Sequence, residues 1–155
     1  MLFEKIESKG LAHYSYLIGD ESEAVVIDPK RNVDQYIQLA NQNGMNIKYI
    51  LETHRNEDYV IGSKELAKKT NAEIWHADSN LDYNYGNPVK ENQNFNVGRL
   101  KIEALHTPGH TINSHSYLLY DFSNEPYMIF TGDLLFAGDT GRIDLLGENM
   151  LDEMA

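Results

Sequence analysis

Between residues 24 and 75 the apolar pattern changes period four times, and this alternation limits the folds open to the chain more than any other feature. Ala24 to Ile27 is a short apolar run halted at Asp28-Pro29, which reads as a buried strand ending in a turn. Val33, Tyr36, Ile37 and Ala40 then fall at i, i+3, i+4 and i+7, one stripe of a helix. Asn32 is its expected N-cap, with Gln35 three residues on and Gly44 just past its end. Ile47 to Leu51 reads as a strand, Ser63 to Thr70 as a second helix, and Glu73 to Trp75 as a further strand. Strand, helix, strand, helix, strand at this spacing implies parallel pairing, since each helix carries the chain back to the edge where it began.

The flanks are different. Upstream, Phe3 to Ser8 alternates and Tyr14 to Ile18 is an aromatic and apolar run, both readable as strands. Asp78 to Asn94 is rich in Asn, Asp, Gly and Tyr without periodicity, as in a surface loop or irregular hairpin. Beyond it the chain turns strand-rich, with strands expected at Arg99 to Leu105, Ser116 to Tyr120 and Met128 to Thr131. Gly147 to Ala155 reads as the start of a polar helix or a frayed tail. With 155 residues, 41% of them hydrophobic, the chain suits one α/β domain spanning residues 1–155. Having no cysteine, it can form no disulfide, Cys-based metal site or thiolate nucleophile. Any metal must be held by His, Asp, Glu, Asn or Tyr. A net charge of −11 and the lack of a basic patch argue against a nucleic-acid partner. The charged start MLFEKIESKG does not suit a signal peptide, and no run reaches membrane-spanning length, so the expected location is cytoplasmic with no membrane partner.

Three loops gather the chemistry, each after a strand. They are Thr53-His54-Arg55-Asn56-Glu57-Asp58-Tyr59, His106-Thr107-Pro108-Gly109-His110-Thr111, and Thr131-Gly132-Asp133-Leu134-Leu135-Phe136. Polar residues at strand C-termini commonly line the ligand crevice of an α/β sheet. Taken singly, His54 could be a solvated loop residue and Asp133 a turn-capping carboxylate. Their joint order resembles the metallo-β-lactamase superfamily, whose motifs read T-H-x-H-x-D-H, T-P-G-H-T and G-D-x-L-F. The second is intact at Thr107 to Thr111 and the third at Gly132 to Phe136, and Val26-Ile27-Asp28-Pro29 is also similar. Gly141-Arg142-Ile143-Asp144-Leu145 resembles the G-R-x-D-L segment of persulfide dioxygenases and their rhodanese-fused relatives.

The resemblance implies an αββα sandwich, C-terminally incomplete where the chain stops at Ala155. The first motif departs from the pattern, with Asn56 at its second His position and Tyr59 at its last, so the usual two-zinc site is dismantled. The persulfide-dioxygenase branch implies instead one Fe(II) per chain on His54, His110 and Asp133. Two imidazoles and a carboxylate suit such an ion, with Zn(II) also accepted. Asp58 and Tyr59 are the catalytic candidates: Asp58 can orient a ligand imidazole or a bound water, while Tyr59 can donate its phenol or fill the space of a lost imidazole. Asn56 can hydrogen-bond a bound water. His106 and His115 are expected to be structural, His13 and His76 show no partner pattern, and Arg142 with Asp144 is expected to form an ion pair pinning the third loop. Three functions stay open. They are oxidation of a low-molecular-weight thiol persulfide to sulfite, thioester hydrolysis of the glyoxalase II type, and a degenerate fold without activity. The short chain also predicts an open strand edge and an uncovered apolar surface around Phe130, Leu134 and Phe136, hence a homo-oligomer.

Overall fold

The structure is a computed structural model that describes residues 1–55, 60–78 and 84–142. Its first sheet has six strands in chain order: β1 (Leu2–Glu7), β2 (Tyr14–Asp20), β3 (Glu23–Ile27), β4 (Asn46–Glu52), β5 (Glu73–His76) and β6 (Asn87–Pro88). The first three pair antiparallel, and β3 through β6 are parallel; among β3, β4 and β5 this is the pairing that the period switches imply. The connections β3 to β4 and β4 to β5 carry α1 (Asp34–Gln42) and α2 (Ser63–Thr70). A second, wholly antiparallel sheet holds β7 (Asn94–Val97), β8 (Leu100–His106), β9 (His115–Tyr120) and β10 (Pro126–Phe130), in the order β10-β9-β8-β7. A two-stranded ribbon, β11 (Leu135–Phe136) with β12 (Asp139–Thr140), follows.

Successive side chains of a strand point to opposite faces, and this alternation sorts the interior into two layers. Leu17, Ala24, Val26, Ile50 and Ile74 meet Val33, Tyr36, Ala40 and Leu66 from the helical side. Their neighbours Ile18, Val25, Ile27 and Leu51 face the second sheet, against Phe95, Val97, Leu100, Ile102, Tyr117, Leu119 and Phe130. Burial on both faces explains why β3 reads as a continuous apolar run. The mixed α/β sandwich is therefore the expected one, and both described helices cover the same outer face, that of the first sheet. No described helix is long and apolar enough to cross a membrane.

Several expectations are corrected. Val33, not Asn32, stands at the N-cap of α1, and no side chain caps that helix. Part of the stretch read as a loop supplies β6, whose Asn87 and Pro88 pair with Trp75 and His76, and β7 was not foreseen. Both are too short to show a period. Phe130 is buried rather than exposed, its ring 4.7 Å from that of Tyr16 and 6.3 Å from that of Phe3. Leu134 is half-buried, whereas Leu135 and Phe136 are exposed. The tail Gly147 to Ala155 lies outside the described residues.

Candidate metal centre

Three strand ends converge. Thr53 and His54 continue β4, His110 lies in the turn between β8 and β9, and Asp133 sits in a single helical turn, Gly132–Leu134, after β10. One nitrogen from each imidazole and one carboxylate oxygen lie within 4.8 Å of one another. The rings of His54 and His110 are 5.2 Å apart between centroids and nearly perpendicular, at 84°. Nε2 of His54 is 3.6 Å from Oδ2 of Asp133. That is too long for a good hydrogen bond, and close to the roughly 3–3.5 Å that separates two ligands on one ion.

The protons of both imidazoles are placed by partners on the far side of each ring. Asp28 accepts from the Thr53 backbone N–H at 2.8 Å and from Thr53 Oγ1 at 2.7 Å. With its only proton given to Asp28, Thr53 Oγ1 must accept from His54 Nδ1, 2.9 Å away. His54 is thereby held as the Nδ1–H tautomer, its Nε2 lone pair turned toward Asp133. His110 Nδ1 lies 3.2 Å from the Arg142 carbonyl and can only donate to it, which leaves Nε2 as the ligand atom. Carboxylate or carbonyl partners behind ligand imidazoles are the usual support of metal sites. The donor chemistry therefore fits a divalent ion.

Gly132 makes the close approach possible. Its φ is +54°, and a Cβ there would stand 2.3 Å from Thr53 Oγ1 and 3.1 Å from His54 Nδ1. Burial pushes the Asp28 carboxyl up to about 6, although a protonated His54 and the two Thr53 bonds oppose it. Burial also raises Asp133, but in their protonated forms the adjacent His54, then His110 and His13, hold it below the usual carboxylate range.

His54, His110 and Asp133 are thus brought together. Asp58, Tyr59 and Asn56 lie outside the described residues, as does Asp144. Arg142 enters the site through its carbonyl. His115 is buried with Nδ1 donating to the Asn113 carbonyl, and exposed His106 donates from Nε2 to the Ile112 carbonyl, consistent with structural roles. Sequence reasoning missed the roles of Asp28, Thr53 and His13. The signal available for Asp28 was its place at a strand end before Pro29, beside a motif that opens with threonine.

A sandwich of two sheets that gathers two imidazoles and a carboxylate at its strand ends defines a candidate metal-binding α/β domain. The model of the metallo-beta-lactamase superfamily matches residues 8–153, and the chain belongs to that superfamily. It is 31% identical over 137 residues to a hydroxyacylglutathione hydrolase of Francisella tularensis subsp. novicida, covering 88% of this chain and 52% of that protein. It is 33% identical over 135 residues to that of Pelagibacter ubique, covering 84% and 54%. Among solved structures, a metallo-beta-lactamase from Staphylococcus aureus superposes with a TM-score of 0.90 at 38% identity, covering 99% of this chain and 49% of the other. ETHE1 from Myxococcus xanthus superposes with a TM-score of 0.82 at 33% identity, covering 94% and 63%. The chain spans about half the length of the curated relatives it matches.

Proposed function

We propose that this domain binds a single divalent metal ion through His54, His110 and Asp133 and acts on a sulfur-bearing small molecule. The convergence of these three groups within 4.8 Å carries the reading. Asn56 and Tyr59, standing where the family motif has imidazoles, favour one ion over two. The G-R-x-D-L segment at Gly141 to Leu145 favours a thiol persulfide as substrate and Fe(II) as the metal. In this reaction a persulfide, O₂ and water give the thiol and sulfite.

A bound Fe(II) would supply the redox chemistry with O₂. The chain's own part is to hold the proton of each imidazole away from the ion, at Nδ1 of His54 and Nδ1 of His110, and to contribute one negative charge through Asp133. Asp58 and Tyr59 are assigned to orienting groups at the centre. A second reading, hydrolysis of a glutathione thioester, is favoured by the relatives named hydroxyacylglutathione hydrolase.

Elemental analysis of anaerobically prepared protein, followed by O₂ uptake with glutathione persulfide, tests the first reading. One iron per chain with sulfite release supports it. Iron loading without O₂ uptake, together with cleavage of an acylglutathione, transfers the assignment to hydrolysis, and loss of both activities leaves a non-catalytic fold. A cytoplasmic location and self-association belong to the same reading. The latter is supported by exposed Tyr127 and Ile129 on edge strand β10 and by exposed Leu135 and Phe136. Light scattering that finds only monomer at micromolar concentration overturns it.

A further inference from the structure

We propose that His13 is a positioning residue for this centre, acting on His54 through the backbone of Asp28. The inference rests on the reading of His54, His110 and Asp133 as a metal centre.

His13 closes the hairpin between β1 and β2. The Ser8 N–H donates to the His13 carbonyl at 3.0 Å, and Ser8 Oγ lies 2.7 Å from His13 Nδ1. The other ring nitrogen, Nε2, lies 3.1 Å from the Asp28 carbonyl. A carbonyl can only accept, so Nε2 carries the proton and Nδ1 accepts from the Ser8 hydroxyl. The imidazole is buried and both of its nitrogens are committed, which fixes the ring.

The atom it holds belongs to a strained residue. Asp28 has φ +47°, a left-handed conformation that residues with a Cβ rarely adopt. Such a conformation persists only where its surroundings enforce it. Here the Asp28 N–H donates to the Leu51 carbonyl at 2.9 Å, the His13 ring holds the Asp28 carbonyl, and Thr53 holds both carboxylate oxygens. The left-handed turn aims the carboxylate at Thr53. Release of the carbonyl frees the turn to relax and to withdraw the carboxylate. Thr53 Oγ1 can then donate to His54 Nδ1 instead of accepting from it, which moves the His54 proton to Nε2, the nitrogen that faces Asp133. A ring nitrogen carrying a proton cannot ligate a metal. The hairpin loop thus reaches the centre by a chain of four residues, His13 to Asp28 to Thr53 to His54.

The test compares wild type, His13→Leu and His13→Gln by two readouts. The first is the His54 tautomer in the metal-free protein, from long-range ¹H–¹⁵N spectra, and the second is the Kd for Co(II). His13→Leu is expected to lose the single Nδ1–H tautomer and to weaken Co(II) about tenfold or more, as for other partners of ligand imidazoles. His13→Gln, whose amide N–H can reach the same carbonyl, is expected to restore both. A folded His13→Leu protein with an unchanged tautomer and a Kd within about twofold of wild type overturns the inference, whatever happens to its melting temperature. Should that variant not fold, Ser8→Ala removes only the hydroxyl that fixes the ring. An unchanged tautomer and Kd there overturn it equally. Wild type that binds no Co(II) removes the metal reading, and the tautomer readout still decides the role of His13.

Discussion

At the end of the sandwich where β2 turns into β3 and β7 into β8, buried Asp20 is gripped by Arg99, with Nε at 2.9 Å, Nη2 at 3.0 Å and the backbone N–H at 3.1 Å. Glu23 beside it accepts from the Gly98 N–H at 2.9 Å and pairs with Lys48 at 2.9 Å. At the opposite end, where β3 and β4 stop, Asp28 and Glu52 are just as buried, but their partners are hydroxyls and a backbone N–H. The acidities follow. The Arg99 bonds hold Asp20 down at about 2, whereas burial pushes Asp28 up to about 6 and Glu52 up to about 7. One end carries its own counter-charges. The other concentrates carboxylates and imidazoles in a way that disfavours the metal-free fold and that a bound cation would relieve.

The largest expected effect separates the two ends by metal content. His110→Ala should weaken metal loading more than about 100-fold, since a lost ligand costs at least as much as a lost supporting partner. Arg99→Ala should leave loading unchanged. Elemental analysis of anaerobic preparations reads both, and two ions per chain in wild type would break the mononuclear assignment.

Next is the cost of buried charge. With a folded value near 7 against about 4.5 unfolded, Glu52 is protonated in the fold below pH 4.5, and its contribution is full there. As pH rises from 4.5 through 7 the unfolded chain releases that proton more readily, and stability is lost. Glu52→Gln should therefore stabilise the metal-free protein by roughly 2–3 kcal/mol at pH 8 and by little at pH 4. Urea unfolding at the two values measures the difference, and an equal effect at both would show that the burial of charge is not its cause.

Two glycines sharpen the contrast on a smaller scale. Gly98, at φ +57°, lies where a Cβ would meet the Asp20 carbonyl oxygen at 2.7 Å, just as Gly132 lies against Thr53 and His54. Alanine at either position should cost about 1–2 kcal/mol. Only Gly132→Ala should also weaken Co(II), because its Cβ displaces the hydroxyl that orients His54. Equal metal affinity in the two variants would separate the left-handed turn from ligand placement.

The smallest effect is that of Arg99→Ala on stability. The folded acidity of Asp20 is below its unfolded value of 3.8, so the stabilisation it gains from Arg99 is present above about pH 4 and fades as pH falls through 2. A melting temperature lowered by a few degrees at pH 7, with the gap closing near pH 2, is expected. A gap independent of pH would assign the loss to the Arg99 guanidinium stacked over the Phe122 ring, its Cζ 4.3 Å from the ring centroid.

The parallel core of the first sheet was readable because β3, α1, β4 and α2 each run long enough to show a period. The second helix was placed at its observed bounds, Ser63–Thr70. β6 and the ribbon strands β11 and β12, two residues each, and the four-residue β7 are too short for any period to register, and pairing with a neighbour is what makes them strands. Phe130 reads as surface in the sequence because nothing local to its strand covers it. The rings of Tyr16 and Phe3, more than 100 residues earlier in the chain, cover it.

By itself, the sequence determined the layering and the candidate ligand types. Apolar periodicity states which face of each element is buried, and His54, His110 and Asp133 sit in loops whose order along the chain already matched a family pattern. Only the tertiary structure decided which nitrogen of each imidazole faces the centre. That choice depends on hydrogen bonds from Thr53 to Asp28 across 25 positions, from His13 to Asp28 across 15 and from His110 to Arg142 across 32. A local pattern records burial, which each residue meets alone. A tautomer records a partner, and the partner arrives only when β2, β3 and β4 have packed side by side.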